Sequence, residues 1–360
     1  MKPRPPGTPH VEWKPSPSQR RTLARARKLR RTGRSAEAGE IYRALCAEFL
    51  PRAAASGKTS SVKTSVGVFR VTTLGGHRGK VWWADVSDAS RLIASGAEDG
   101  VVRVWDRGLR PLLILHGHSD WVHQVVFSRD GKRIASAGGD ERVNVWRTED
   151  GRWERSFDWP CHAARTVAFH PTEPVLAAGA DDGTATLFNL KDGSRLAVLR
   201  GHEKLVKILA FSPDGKRLAT ASHDGTVGIW DWRAGKKLRA LGPHPDKVDA
   251  VSFSPDGRRV AVGCEDFKLY VWSLPSGKLE REIGGHGERS DATTFANAGR
   301  WIASGSLDGT ARLWNAATGA PLAVLVHHKQ QGVHSVAATA DGRRFVTAGL
   351  DGVVKVWDRR

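Results

Sequence analysis

Cysteine is scarce in this chain, and its three positions exclude more than they offer. Cys46, Cys161 and Cys264 form neither an even disulfide framework nor the close pairs of a structural zinc site. A reduced, cytoplasmic setting is the expectation. No stretch approaches the ~18 apolar residues of a membrane-spanning helix, and no apolar core of a secretory signal follows the first basic residues. Glycine is abundant, yet there is neither a Gly-x-x-x-x-Gly-Lys-Ser/Thr run nor a strand–Gly-x-Gly-x-x-Gly–helix unit, so no cofactor is expected. His116, His118, His123, His327, His328 and His334 lack the spacing of a closed zinc site, which argues against a metal. No nucleophile–base–orienter set stands out, and the chain reads as non-enzymatic.

What the chain has is a period. Trp105, Trp146, Phe188, Trp230, Trp272, Trp314 and Trp357 follow one another at steps of 41 to 43 residues. Each stands six residues after an aspartate: Asp99, Asp140, Asp182, Asp224, Asp266, Asp308 and Asp351. Repetition at this length marks units that bury their apolar faces only against neighbours. Within one unit, Val206, Ile208 and Ala210 alternate as on a half-buried strand. Ser212-Pro213-Asp214-Gly215 is a turn, Leu218–Ser222 a second strand, His223-Asp224-Gly225 a tight turn, and residues 226–230 a third strand. A fourth strand precedes the next Gly-His, as at 110–115 and 196–199. Four short antiparallel strands make one propeller blade.

These residues resemble the WD40 family, with Gly-His near the start of each repeat and Trp-Asp at its end, intact at Trp105-Asp106, Trp230-Asp231 and Trp357-Asp358. The expected fold is all-β: a seven-bladed propeller over residues 65–360. The last Trp-Asp leaves no room for a fourth strand in blade seven, whereas residues 66–74 form an unmatched strand before Gly76-His77. That N-terminal strand is expected to join the last blade and close the ring, which removes a long unpaired edge.

His77, His118, His202, His244 and His286 each precede a turn aspartate by 22 residues. A catalytic pair is needed once, so fivefold repetition favours a structural role. The resemblance implies a buried network of this His, the Asp, a Ser or Thr two residues before the Asp, and the Trp. It would be complete in blade four (His202, Ser222, Asp224, Trp230) and blade six (His286, Ser306, Asp308, Trp314). In blade three the His register falls on Pro160 and the aromatic is Phe188, so this blade is expected to be the loosest. In blade seven the register falls on Lys329, next to His328.

Gly-His and the Asp turn share one end of the blade, the top rim. The resemblance implies partner contacts three and five residues after the His register and just before the Asp. On this chain those positions include Lys80, Trp82 and Glu98; Trp121 and His123; Arg165; Lys207 and His223; Lys247 and Asp249; Arg289 and Asp291. Asp181, Glu265 and His334 fall on the same register. Trp82 and Trp121, on adjacent blades, have the size and low entropy cost of binding anchors.

The formal charge is +18, and residues 1–64 carry 15 Lys+Arg against 4 Glu, a net +11. Residues 1–18 are basic, proline-rich and expected to lack fixed structure. Residues 19–50 are expected to form a helical hairpin in this short basic arm. Ser35 can cap its second helix, Ile41, Tyr42, Leu45, Cys46 and Phe49 share a stripe, and Pro51 ends it. Leu29, Gly33, Ala36-Glu37-Ala38, Ile41-Tyr42 and Pro51 are similar to one tetratricopeptide repeat. Residues 51–64 are read as a linker.

The leading expectation is a scaffold that binds protein or peptide partners on the top rim, as a monomeric propeller within a complex. The alternative is a nucleic-acid or ribonucleoprotein-associated factor using residues 1–64, for which phosphate contacts would make binding salt-sensitive. An enzyme would need acids and histidines lining the central channel.

Overall fold

The computed structural model describes residues 59–158, 163–326 and 331–360. Among these, every regular element is a strand, and the strands form seven antiparallel sheets arranged as successive blades. Blade four is representative: Val206–Phe211, Leu218–Ser222, Val227–Asp231 and Lys236–Leu241 run as a simple meander. Its second strand is buried at every residue, because both faces of a blade pack against neighbours. This explains why such strands are continuously apolar and small, as in Ile93–Ala97 or Val175–Ala180. Outer strands such as Lys236–Leu241 are mostly exposed and carry the charge. The turns use the expected residues: Ser212 Oγ donates to Asp214 at 2.6 Å, and Gly215 takes φ 72°. Glycine is obligatory at Gly183, where φ is +79° and a Cβ would lie 2.7 Å from the His202 carbonyl oxygen.

The first strand of each blade is innermost and touches its counterparts on both sides, from Val81–Val86 round to Val333–Ala338 and back. The seventh sheet has five strands, in the order Thr59–Thr64, Gly67–Leu74, Val354–Arg359, Arg344–Gly349, Val333–Ala338. Strand Gly67–Leu74 pairs antiparallel with Val354–Arg359 from Phe69↔Arg359 to Leu74↔Val354. Phe69 and Val71 join a core cluster with Phe345, Trp357 and Leu325.

Residues 59–64 are a strand and not the linker expected there. They pair with Gly67–Leu74 across a two-residue connection, from Thr59↔Thr72 to Thr64↔Gly67. The strand is largely exposed, and only Val62 reaches the core, so no buried alternation announces it. The expected tail at 1–18 and hairpin at 19–50 lie outside the described residues.

Side chains also stitch neighbouring blades at the innermost strands. Gln124 Oε1 accepts from Val167 N at 2.7 Å, Thr166 Oγ1 from Leu209 N at 3.1 Å, and Ser335 Oγ from Ala84 N at 2.8 Å. Between blades one and two the acceptor is a carboxylate: Asp85 Oδ2 takes the Phe127 N–H at 2.8 Å. Burial pushes the Asp85 carboxyl up to about 6, against the lowering effect of its backbone bonds. A carboxyl whose folded pKa exceeds its unfolded value costs stability above that pKa and regains it as pH falls. Asp85→Asn keeps an acceptor and removes the charge. It is expected to stabilise the protein at pH 7 by on the order of 1–3 kcal/mol. The gain should shrink as pH falls from about 6 towards 4, as urea melts at several pH values would show; a gain independent of pH would contradict it.

Candidate functional site at the channel mouth

Beneath the rim, each blade end is held by a polar relay. In blade four, His202 Nδ1 meets Asp224 Oδ2 at 2.7 Å and Nε2 meets Thr220 Oγ1 at 2.7 Å, while Trp230 Nε1 donates to Thr220 Oγ1 at 2.8 Å. Blade six repeats it with His286, Asp308, Ser304 and Trp314 at 3.0, 2.7 and 2.8 Å. The donors then run one way: indole N–H to hydroxyl, hydroxyl to Nε2, and Nδ1–H to carboxylate. Burial holds His202 below its ordinary range, which suits this neutral tautomer.

The hydroxyl therefore stands four residues before the aspartate, not two. The imidazole points its Nε2 down into the blade, one strand repeat deeper than Ser222 and Ser306. Those two serve the turn instead: Ser222 Oγ donates to Lys204 O at 3.1 Å and Ser306 Oγ to Glu288 O at 2.9 Å. With this register, blades one and two join the set through Ser95 and Ser136, each 2.6 Å from its histidine. Thr347 accepts from Trp357 Nε1 at 3.0 Å in blade seven. The constant spacing of these hydroxyls was a signal available in the sequence.

Blade five also departs from the expected relay. Val262 occupies the hydroxyl position, and His244 does not pair with Asp266. Its Nδ1 donates to Gly225 O at 2.9 Å and its Nε2 accepts from Trp272 Nε1 at 3.1 Å, while the Tyr270 hydroxyl takes Asp266. Blade three has Ala178 at the hydroxyl position and Phe188 at the aromatic one. Its expected His register, like that of blade seven, lies outside the described residues. Ser95 with His77 and Asp99 has the connectivity of a hydrolytic triad, but Ser95 is fully buried and the motif recurs in other blades. Such a group cannot meet a substrate.

Above the relays, the second residue of each innermost strand rings the channel mouth: Trp82, His123, Arg165, Lys207, Asp249, Asp291 and His334. The rim is organised in three arcs. On the first, Trp82 and Trp121 stack with centroids 5.6 Å apart and planes 23° from parallel. Trp121 is 43% exposed. His334 lies 4.6 Å from Trp82 on its other side, and Lys80 Nζ stands 5.6 Å from the Trp82 ring while pairing with Glu98 at 3.4 Å. The buried Trp82 Nε1 has no acceptor among the described residues.

The second arc is basic. Arg165 grips Asp181 through two bonds of 2.6 and 3.0 Å and reaches His123 Nε2 at 3.4 Å. Burial, with Arg165 and Lys207 adding to it, pushes His123 down to about 4, so its imidazole is neutral at physiological pH. Lys207 has no ion pair among the described residues. The third arc is a charge network. His223 meets Asp249 at 2.9 Å, Lys247 and Arg289 hold Glu265 at 3.0 and 2.9 Å, and His334 meets Asp291 at 2.7 Å.

Asp249 and Asp291, expected among the partner contacts, are 1% and 3% exposed. Their carboxylates lie against His223, at 2.9 Å from Asp249, and against His334, at 2.7 Å from Asp291. They support the rim and do not present themselves on it. Lys80, Trp121, Lys247 and Arg289 retain accessible surface.

Seven consecutive matches to the WD domain, G-beta repeat family cover residues 69–106, 109–147, 153–189, 193–231, 235–273, 277–315 and 319–358. Pre-mRNA-processing factor 19 homolog 2 of Arabidopsis thaliana is 32% identical over 34% of this chain and 24% of its own length. Transcription initiation factor TFIID subunit 5 of Caenorhabditis elegans is 27% identical over 36% of this chain and 20% of its own. Eukaryotic translation initiation factor 3 subunit I of Aspergillus fumigatus is 26% identical over 37% of this chain and 44% of its own. The chain thus spans less than half the length of these curated relatives. With seven blades, seven matched repeats and the full histidine–hydroxyl–indole relay in blades four and six, the chain belongs to the WD40 family.

Proposed function

We propose that this protein is a non-catalytic interaction platform that binds a protein or peptide partner across its top rim, with Trp82 and Trp121 as the anchor. One observation carries the reading: a stacked tryptophan pair spans two blades at the channel mouth with one ring 43% exposed. A large aromatic surface held rigid at the rim costs little entropy to bury. The mixed signs of the surrounding charges suit a protein better than a polyanion. WD40 proteins generally mediate protein interactions, and two of the relatives above are named as subunits. At the mouth His223 pairs with Asp249 and His334 with Asp291, an arrangement that suits a scaffold. No helix among the described residues is long and apolar enough to cross a membrane. The buried free thiol of Cys264 suits a reducing compartment, and we place the protein in the cytoplasm.

The alternative rests on the +11 charge of residues 1–64, which could hold nucleic acid. Affinity capture with the intact chain separates the two. Replacing Trp82 and Trp121 together by alanine is expected to weaken partner binding by at least about 2 kcal/mol, or roughly thirtyfold, with little change in melting temperature. Removing residues 1–58 should matter less, and binding should survive moderate salt. Loss on removing the arm alone, with a steep salt slope and indifference to the tryptophans, would establish the nucleic-acid reading instead.

A further inference from the structure

The third arc of the rim is short of positive charge. Among the described residues, Asp249, Glu265 and Asp291 have only two lysines or arginines within ion-pair distance, Lys247 and Arg289, and both of these bind Glu265. Arg289 also reaches Asp291, 3.0 Å from its Nε. Asp249 alone has no lysine or arginine within ion-pair distance among the described residues. It is 1% exposed, its Oδ1 meets His223, and its Oδ2 has no hydrogen-bond partner. A buried carboxylate oxygen left without a partner is costly.

His223, Asp249 and Glu265 each bring one ligand atom to within 4.8 Å of the others. An imidazole nitrogen with two carboxylate oxygens is a donor set for first-row divalent ions. Bonds of about 2.0–2.2 Å would set these atoms a little over ~3 Å apart around the ion. We propose that His223, Asp249 and Glu265 bind one divalent ion of the zinc class at the rim, between blades four and five. The burial of Asp249 favours an ion of about the size of water over a partner's side chain. Glu265 exchanges Lys247 for the ion: the Lys247 side chain is 44% exposed and free to swing into solvent, whereas Arg289 keeps Asp291. His223 presents its Nε2 lone pair, with its proton on Nδ1. The ligands come from neighbouring turns and a strand, which is why no zinc spacing appears along the chain. This inference does not depend on whether the rim holds a partner.

The test is calorimetric titration of the full chain, freed of metal by a chelator, with zinc ion alone, and Co²⁺ absorption as a second readout. One equivalent should be lost, or its affinity lowered at least about tenfold, in His223→Ala and in Glu265→Gln. Lys247→Ala should raise affinity, because it removes the competing cation. This third variant keeps the test decisive if either of the others destabilises the fold. No binding by the intact chain, unchanged binding in His223→Ala and Glu265→Gln, or weakening in Lys247→Ala would each overturn the site.

Discussion

A chain beginning at Gly76 is expected to melt more than about 10 °C below one beginning at Thr59. The earlier start keeps Gly67–Leu74 on the outer edge of Val354–Arg359; the later one removes it. Phe69, Val71 and Leu74 on that strand are at most 5% exposed, and each such side chain stabilises by roughly 1.5–3 kcal/mol when buried. Each kcal/mol is worth about 2–4 °C in a domain of 150–250 residues. The shortened chain also exposes the Val354–Arg359 edge, a template for pairing with other chains. It should aggregate on size-exclusion chromatography. A chain beginning at Gly67 loses the mostly exposed strand Thr59–Thr64 with the half-buried Val62 and Val66, and should melt within a few degrees of the longest one. Equal melting temperatures for chains starting at 59 and 76 would contradict the role of the pairing.

The propeller was legible because its units advertise themselves with chemically special residues. A turn aspartate followed by a residue at positive φ recurs at one spacing in every blade, with an indole six residues after the aspartate in all but the third. Less was legible where a side chain's depth in the blade decides its role. Thr220 and Ser222 share a strand face, and only the reach of the imidazole from His202 selects the deeper one. Blade five escaped the pattern because Val262 removes the hydroxyl, after which Trp272 bonds the histidine directly. At the rim, position named the right ring of residues but could not show which side chains turn inward. Asp249 and Asp291 read as surface charges, yet both are buried against neighbouring histidines, His223 and His334. Thr59–Thr64 was hidden for the opposite reason: it is nearly all exposed, and exposed strands carry little alternation.

The relay offers a ranking that separates depth from position. Thr220→Val removes the atom that both His202 Nε2 and Trp230 Nε1 use, at 2.7 and 2.8 Å, and leaves two buried polar groups unpaired. Each such orphan costs about 1–3 kcal/mol. Ser222→Ala removes only bonds to Lys204 O and Asp224 N beside the rim, and should cost about 1 kcal/mol. Asp224→Ala takes the carboxylate from His202, from Thr226 and from the Glu203 amide. It should cost more than Asp182→Ala, whose aspartate is held by Thr184 in a blade with Ala178 and Phe188 in place of hydroxyl and indole. Acid should act in the same direction as these substitutions. Burial keeps His202 below its ordinary range, and its stabilising neutral form is lost as pH falls below about 6.5. Burial alone would raise Asp224, but bonds from Thr226 and His202 outweigh it and hold the carboxyl low, so its contribution disappears only in stronger acid. Urea melts at neutral pH decide the order. Ser222→Ala costing more than Thr220→Val, or Asp182→Ala more than Asp224→Ala, would mean that the hydroxyl and aspartate are not the hinges of the blade.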